Sequence, residues 1–286
     1  MHTPASDKII TNAMSVDVED YFQVSAFENV IDRASWDSIE CRVEDNTHRI
    51  LDLFSDRGIK ATFFVLGWVA DRYPGIVERI VSDGHELASH GYGHQRVTTL
   101  TPQSFKEDIS KTKNLLEDLA GVEVKGYRAP SYSIGKDNLW AHDVLKEVGY
   151  RYSSSVYPVY HDLYGMPDAP RYPFQVADDQ LTEIPISTGR MLGNNFPIGG
   201  GGYFRLFPYS ISKFAINHVN RKEREPCVFY FHPWEIDPGQ PRQQSVKFKT
   251  KFRHYLNLGR MESRLKQLIN DFNWDRIDQV YSQHLT

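Results

Sequence analysis

Two stretches of this chain, residues 61–67 (ATFFVLG) and 227–233 (CVFYFHP), are apolar almost without a break instead of alternating with polar residues. A strand of that composition needs cover on both faces, and a parallel sheet flanked by helices provides it. The segments between such runs have the period of helices. Residues 44–58 place Ile50, Leu51 and Phe54 at helical spacing and stop at Gly58, while residues 73–84 open on Tyr73-Pro74 and end on Gly84. Residues 101–121 put Phe105, Ile109 and Leu116 on one face, and residues 137–150 and 208–222 continue the pattern. Further strand candidates are 12–18, 85–91, 125–131, 151–158 and 182–188.

Such alternation with short connections predicts an α/β fold whose parallel sheet is either open or closed as a barrel. The first strand-to-helix turn, DVEDYFQVSAFE, has neither a G-x-G-x-x-G nor a Walker loop, so the barrel is favoured. No repeat of 20 to 50 residues and no low-complexity linker interrupts the chain, which is read as one domain over 1–286. Residues 238–286, polar and proline-rich and then helical, are expected to be an extension packed on that domain.

The balance of 33 basic against 37 acidic residues gives a net charge of −4, without a basic run of the kind that tracks phosphates, so nucleic acid is excluded as a partner. Cys41 and Cys227 lack metal-site spacing and read as unpaired thiols. The N-terminus MHTPASDKII lacks the basic start and apolar core of a signal peptide, and no stretch reaches the roughly 18 apolar residues of a membrane span. The expectation is a cytoplasmic chain, or a periplasmic one if a leader has been removed. Oligomeric state is not legible.

In a β/α barrel, chemistry gathers at the C-terminal strand ends. Four such ends carry chemically competent residues: Asp17, Glu19 and Asp20 after the first strand, His90 and His94 in SHGYGH, Arg128 in YRAPS, and His232 in FYFHP. The glutamate that must follow the first histidine of a zincin is Gly91 here, which excludes H-E-x-x-H protease chemistry. Two histidines and a carboxylate make the ligand set of an open catalytic metal site, and a second carboxylate can act as base beside it. Arg128 can orient that base, and His232 can serve as general acid. Residues 198–208, IGGGGYFRLFP, read either as a flexible loop or as a backbone-lined rim carrying Tyr203 for sugar stacking.

Taken in order, SVDVED, SHGYGH, YRAPS, YSSSVYP and FYFHPWE resemble the motifs of NodB-type polysaccharide deacetylases, carbohydrate esterase family 4. GGGYFRLFPY, HPWEIDP and FRHYLNL are similar to the subgroup of exopolysaccharide and exosortase gene clusters, and the resemblance spans about residues 12–275. It implies a distorted, incomplete (β/α)7-type barrel, the NodB homology fold, holding a divalent metal, usually Zn2+. Carried over residue by residue, it implies Asp17 as base, His90 and His94 as metal ligands, Arg128 as the residue that positions the base, and His232 as general acid. The third ligand is Glu19 or Asp20, with alternation favouring Glu19. The backbone N–H of Ser131 is the implied oxyanion donor, and Ser153 stands where relatives carry an aspartate that holds the arginine.

The activity implied is metal-dependent hydrolysis of the N-acetyl amide of an amino sugar in an exopolysaccharide, a cell-surface glycan or its lipid-linked precursor. The alternatives are a deformylase or other amidase on a lipid-linked amino sugar, a metal-independent barrel amidase, and an inactive carbohydrate-binding homologue.

Overall fold

The structure is a computed structural model describing residues 10–161, 165–191 and 193–285. Most of the stretch that bears on the leader, residues 1–9, lies outside the described residues. The strands are β1 (Thr11–Val18), β2 (Thr62–Val65), β3 (Glu86–Ser89), β4 (Gly126–Tyr127), β5 (Tyr152–Ser153), β6 (Phe174–Val176), β7 (Leu181–Glu183), β8 (Thr188–Met191), β9 (Asn194–Pro197), β10 (Val228–Phe231) and β11 (Asn273–Asp275). The helices are α1 (Val43–Ser55), α2 (Gly67–Arg72), α3 (Pro74–Ser82), α4 (Pro102–Ala120), α5 (Trp140–Val148), α6 (Gly201–Leu206), α7 (Tyr209–His218), α8 (Phe248–Tyr255), α9 (Leu258–Asp271) and α10 (Ile277–Val280).

Seven strands run parallel in the order β10-β1-β2-β3-β4-β5-β7, the parallel sheet that the alternation predicts, curled into the incomplete barrel that the family resemblance implies. Sequence reading missed β6, which pairs antiparallel to β7, the β8–β9 hairpin, and β11, which pairs parallel to the start of β1. All are short and lack a sustained pattern. Between β7 and β10 the wall is closed without a regular ladder: Ser187 Oγ accepts from the Val228 N–H at 2.7 Å, and the Gly199 carbonyl from the Tyr230 N–H at 2.7 Å.

The glycine run is therefore part of the wall and not a flexible loop. A side chain at Gly199 would meet the Val228 carbonyl at 2.4 Å, and one at Gly201 would meet Glu235 Oε1 at 2.2 Å. Glycine is required here by close approach.

Two layers of apolar packing hold the sheet. Outside it, Ile50, Leu51 and Phe54 of α1, Ile76, Val77 and Ile80 of α3, and Phe105, Ile109 and Leu116 of α4 are fully buried, each contributing about 1.5–3 kcal/mol. Inside, Phe64, Ala88, Tyr152, Ile184 and Tyr230 fill the barrel, and Ile277 and Tyr281 join them from the C-terminal segment. That segment is pinned from below: the Ile277 N–H donates to Thr62 Oγ1 at 2.8 Å and the Asp278 N–H to Glu86 Oε2 at 3.2 Å. α9 buries Leu258, Met261, Leu265 and Leu268.

Register aligns the strand ends. Val16 pairs with Phe231, Val65 with Ser89, Ser89 with Tyr127 and Tyr127 with Ser153. The residues that follow therefore emerge at one end: Asp17 to Glu19, His90, Arg128, Ser154 and His232.

His85, ahead of β3, is buried against Phe63 and Phe54 and accepts the Ala61 N–H at Nδ1, and burial lowers its pKa to about 4. The unfolded chain then binds more protons than the folded one between pH 4 and 6.5. His85 stabilisation is complete above 6.5 and is lost as pH falls toward 4, by about 2–3 kcal/mol. Melting temperature measured across this window should fall less steeply in His85→Asn than in the parent.

Candidate metal centre and active site

Glu19, His90 and His94 converge, with one ligand atom of each within 4.8 Å of the others. All three are buried. The loop that carries the histidines is not helical: Gly91 and His94 have φ of +73° and +51°. A Cβ at Gly91 would lie 2.9 Å from Asp108 Oδ2, the oxygen that accepts the Tyr92 N–H, so the turn is shaped from α4. Arg33 clamps the other side, donating to the Gly93 and His94 carbonyls at 2.8 and 3.1 Å.

His90 donates from Nδ1 to the Arg128 carbonyl at 2.8 Å, which fixes the tautomer and leaves the Nε2 lone pair free. Burial lowers its pKa to about 4, keeping the ring neutral as a ligand must be. Glu19 Oε2 lies 2.6 Å from His94 Nε2, yet the oxygen has no hydrogen bond of proper geometry. Although burial opposes its charge, His94 and His232 hold the Glu19 carboxyl far below the usual range. A buried carboxylate oxygen and two imidazole nitrogens facing one point suit a dication, and the donor set fits zinc.

Asp20 does not join this group. Its Oδ2 accepts the backbone N–H groups of Arg42 and Val43 at 2.6 and 2.9 Å, and its Oδ1 that of Tyr21 at 2.7 Å. It caps the start of α1, satisfying donors that a helix N-terminus leaves open. Of the three acids in SVDVED, two face the site and one serves the fold.

Asp17 lies close enough to this group for its charge to act on His90. Arg128 Nη1 donates to its Oδ1 at 2.6 Å, and the Tyr132 hydroxyl lies 3.4 Å from Oδ2. Arg128 is wholly buried, packs over Phe64 with its guanidinium 4.0 Å from the ring centroid, and also donates to Ser15 Oγ, the Ser154 carbonyl and Ser154 Oγ. Burial works against its charge, but Asp17 keeps its pKa above the ordinary value. Ser153, expected to hold this arginine, instead donates to Ser155 Oγ at 2.8 Å; the neighbouring Ser154 meets Arg128, because alternation along β5 sends the two side chains to opposite sides.

His232 completes the cluster with Nε2 3.9 Å from Asp17 Oδ2 and 3.5 Å from Glu19 Oε1. Its side chain is 19% exposed against 3% for Asp17, so a reactant entering from outside meets the imidazole first. Sequence reading missed what holds it. Glu235 Oε1 accepts from His232 Nδ1 at 2.8 Å and from its backbone N–H at 3.1 Å, while Arg205 Nε donates to Glu235 Oε2 at 2.6 Å. The signal was available in H-P-W-E, where a glutamate three residues past a helix cap reaches back to it.

Burial opposes protonation of His232, but the charges of Glu19 and Glu235 raise its pKa to about 9. Trp234 stacks between His232 and His254 at 5.2 and 4.2 Å and donates to Glu19 Oε1 at 3.3 Å.

Ser131 lies in the left-handed region, φ +54°, with its hydroxyl bonded to Ser25 Oγ at 2.7 Å. Tyr132, the next residue, shares this backbone conformation, φ +51°. Tyr203 is on α6, its ring stacked on Phe207 at 6.4 Å.

Residues 33–153 match the polysaccharide deacetylase family, and residues 154–282 match a domain of unknown function, DUF3473. Over 96 residues the chain is 38% identical to a peptidoglycan-N-acetylglucosamine deacetylase of Bacillus cereus, covering 33% of this chain and 35% of that one. Over 103 residues it is 32% identical to the peptidoglycan-N-acetylglucosamine deacetylase PgdA of Listeria monocytogenes, covering 36% and 21%. The matched region thus spans about a third or less of these relatives' length. A crystal structure of a chain assigned as a polysaccharide deacetylase from Mycobacterium smegmatis superposes with a TM-score of 0.64 at 20% identity, covering 100% of this chain and 94% of that one, which shows the fold.

Glu19→Gln is expected to lower the zinc content of purified protein while changing stability little. Asp20→Ala should do the reverse, costing about 1–2 kcal/mol through the lost helix cap. Metal analysis and urea denaturation of both variants check this.

Both matched segments contribute to one cluster: residues 33–153 carry a polysaccharide deacetylase domain, continued by a DUF3473 region over residues 154–282.

Proposed function

We propose that this protein removes the N-acetyl group from an amino sugar of a glycan by metal-assisted hydrolysis. The observation that carries the proposal is a carboxylate, Asp17, locked by a buried arginine beside a Glu-His-His set and across from a carboxylate-held imidazole. A divalent cation held by Glu19, His90 and His94 would supply Lewis acidity toward the acyl carbonyl and the attacking water.

The remaining work falls to the chain's own groups. Asp17, fixed by Arg128, takes a proton from the attacking water as its oxygen bonds to the acyl carbon. Tyr132, beside Asp17 Oδ2, and the backbone of the strained turn at Ser131 line the place where the oxyanion develops. His232, protonated at Nε2 and oriented by Glu235, delivers its proton to the amide nitrogen. The C–N bond breaks, leaving acetate and a free amine. A groove lined by Gln23, Ser25, Glu28, Asn29, Asp32 and Arg33 supplies polar walls for sugar hydroxyls, and through Ser25 and Arg33 it touches the segments that carry Ser131 and His94.

The peptidoglycan deacetylases among the relatives support an N-acetylglucosamine unit in the substrate, and the motifs of the exopolysaccharide subgroup support an exopolysaccharide or its lipid-linked precursor.

Release of acetate and formate from N-acylated glucosamine oligomers and lipid-linked intermediates tests the reading. Acetate release should require metal, cease with a chelator and return with zinc. Asp17→Asn should lower it about 10²–10⁴-fold, and Glu235→Gln about 10–100-fold with metal content unchanged. Formate in place of acetate would establish the deformylase alternative, and absence of both products from metal-loaded protein would reject hydrolysis of these substrates.

A further inference from the structure

Among the large apolar side chains exposed on this protein, Phe248 (83%) and Phe252 (48%) stand out for their setting. They lie four residues apart on α8 with their rings stacked at 6.5 Å, and each is flanked in sequence by cations, Lys247 and Lys249 around the first, Lys251 and Arg253 around the second. Residues 238–261 contain six lysines and arginines and neither aspartate nor glutamate, in a chain whose net charge is −4. The overall charge concealed this segment, which sequence reading passed over as merely polar.

The helix is held rigidly to the body by its other side. His254 is buried, and Arg205 donates to the carbonyls of Arg253, His254 and Leu256. The preceding arm is pinned as well: Arg242 lies over the Tyr255 ring at 4.9 Å, and the Tyr255 hydroxyl accepts the Gln243 N–H at 2.7 Å. Phenylalanines that could have turned inward are thus fixed outward, between lysines.

We infer that α8 docks this protein on an anionic lipid bilayer surface, with Phe248 and Phe252 entering the headgroup–acyl boundary and Lys247, Lys251 and Arg242 pairing with lipid phosphates. Charge complementarity selects this occupant. Buried cores of protein–protein interfaces are depleted in lysine, whereas amphipathic elements that lie on membranes combine aromatic residues with lysines whose long stems let the ammonium reach the phosphates. Among the described residues no helix is long and apolar enough to cross a membrane, so this is peripheral attachment. The inference does not depend on the proposed reaction.

The full chain is sedimented with vesicles of phosphatidylcholine alone, and with vesicles about one third phosphatidylglycerol. Binding is expected only to the anionic vesicles, weakening with salt. Each lysine-to-glutamine change at 247 and 251 should lower partitioning about fivefold. Phe248→Ser with Phe252→Ser should lower it at least tenfold, with an unchanged melting temperature and unchanged turnover of a water-soluble substrate. No binding to anionic vesicles overturns the proposal, as does binding that the phenylalanine variant retains, which would mark a general polyanion site. Burial of the same face in a dimer, detected by sedimentation velocity as self-association that the phenylalanine variant loses, also overturns it.

Discussion

Everything at the mouth of this barrel depends on one buried ion pair. Arg128 has no exposed surface, and its donors go to Asp17, Ser15 and Ser154, which belong to β1 and the end of β5. Ser15 in turn donates to the Phe229 carbonyl of β10 at 2.9 Å. One guanidinium therefore ties together strands that hydrogen bonding along the sheet connects only step by step. A charge buried in this way is tolerated because its partners are complete, and removing one of them leaves the other uncompensated at a cost of about 3–5 kcal/mol. The residue read as the base is in this sense also a structural residue.

A second arginine repeats the arrangement for the imidazole. Arg205 fixes Glu235, Glu235 fixes His232, and the rest of the guanidinium holds the last turn of α8. Gly201 makes room for Glu235, and Trp234 covers the ring. Asp17 and His232 thus rest on separate arginine anchors.

Much of this was legible in the sequence, and the reasons are specific. ATFFVLG and CVFYFHP can only be strands buried on both faces, and amphipathic helices between them leave few topologies. The residues at the strand ends were legible because a charged side chain after such a run has no packing reason to be there. What was not legible turned on direction: Asp20 faces a helix start and Ser153 faces away from Arg128, each decided by one step of alternation. Arg205 was hidden because its partner lies 30 residues away, and the glycine run because its purpose, clearance for Glu235 and for the β10 backbone, exists only once the barrel has closed.

The pairing of β1 with β10 has a consequence for how the molecule comes into being. Asp17 lies on β1 and His232 just past β10, and those strands are neighbours. During synthesis the amino-terminal four-fifths of the chain can be made, and its helices and local strand pairs formed, before the segment carrying His232 exists to meet Asp17. Pairing over so great a separation in sequence is slow to form. A nascent or truncated chain that ends before β10 lacks His232, so the cluster around Asp17 is completed in one late step, when the ends of the chain meet.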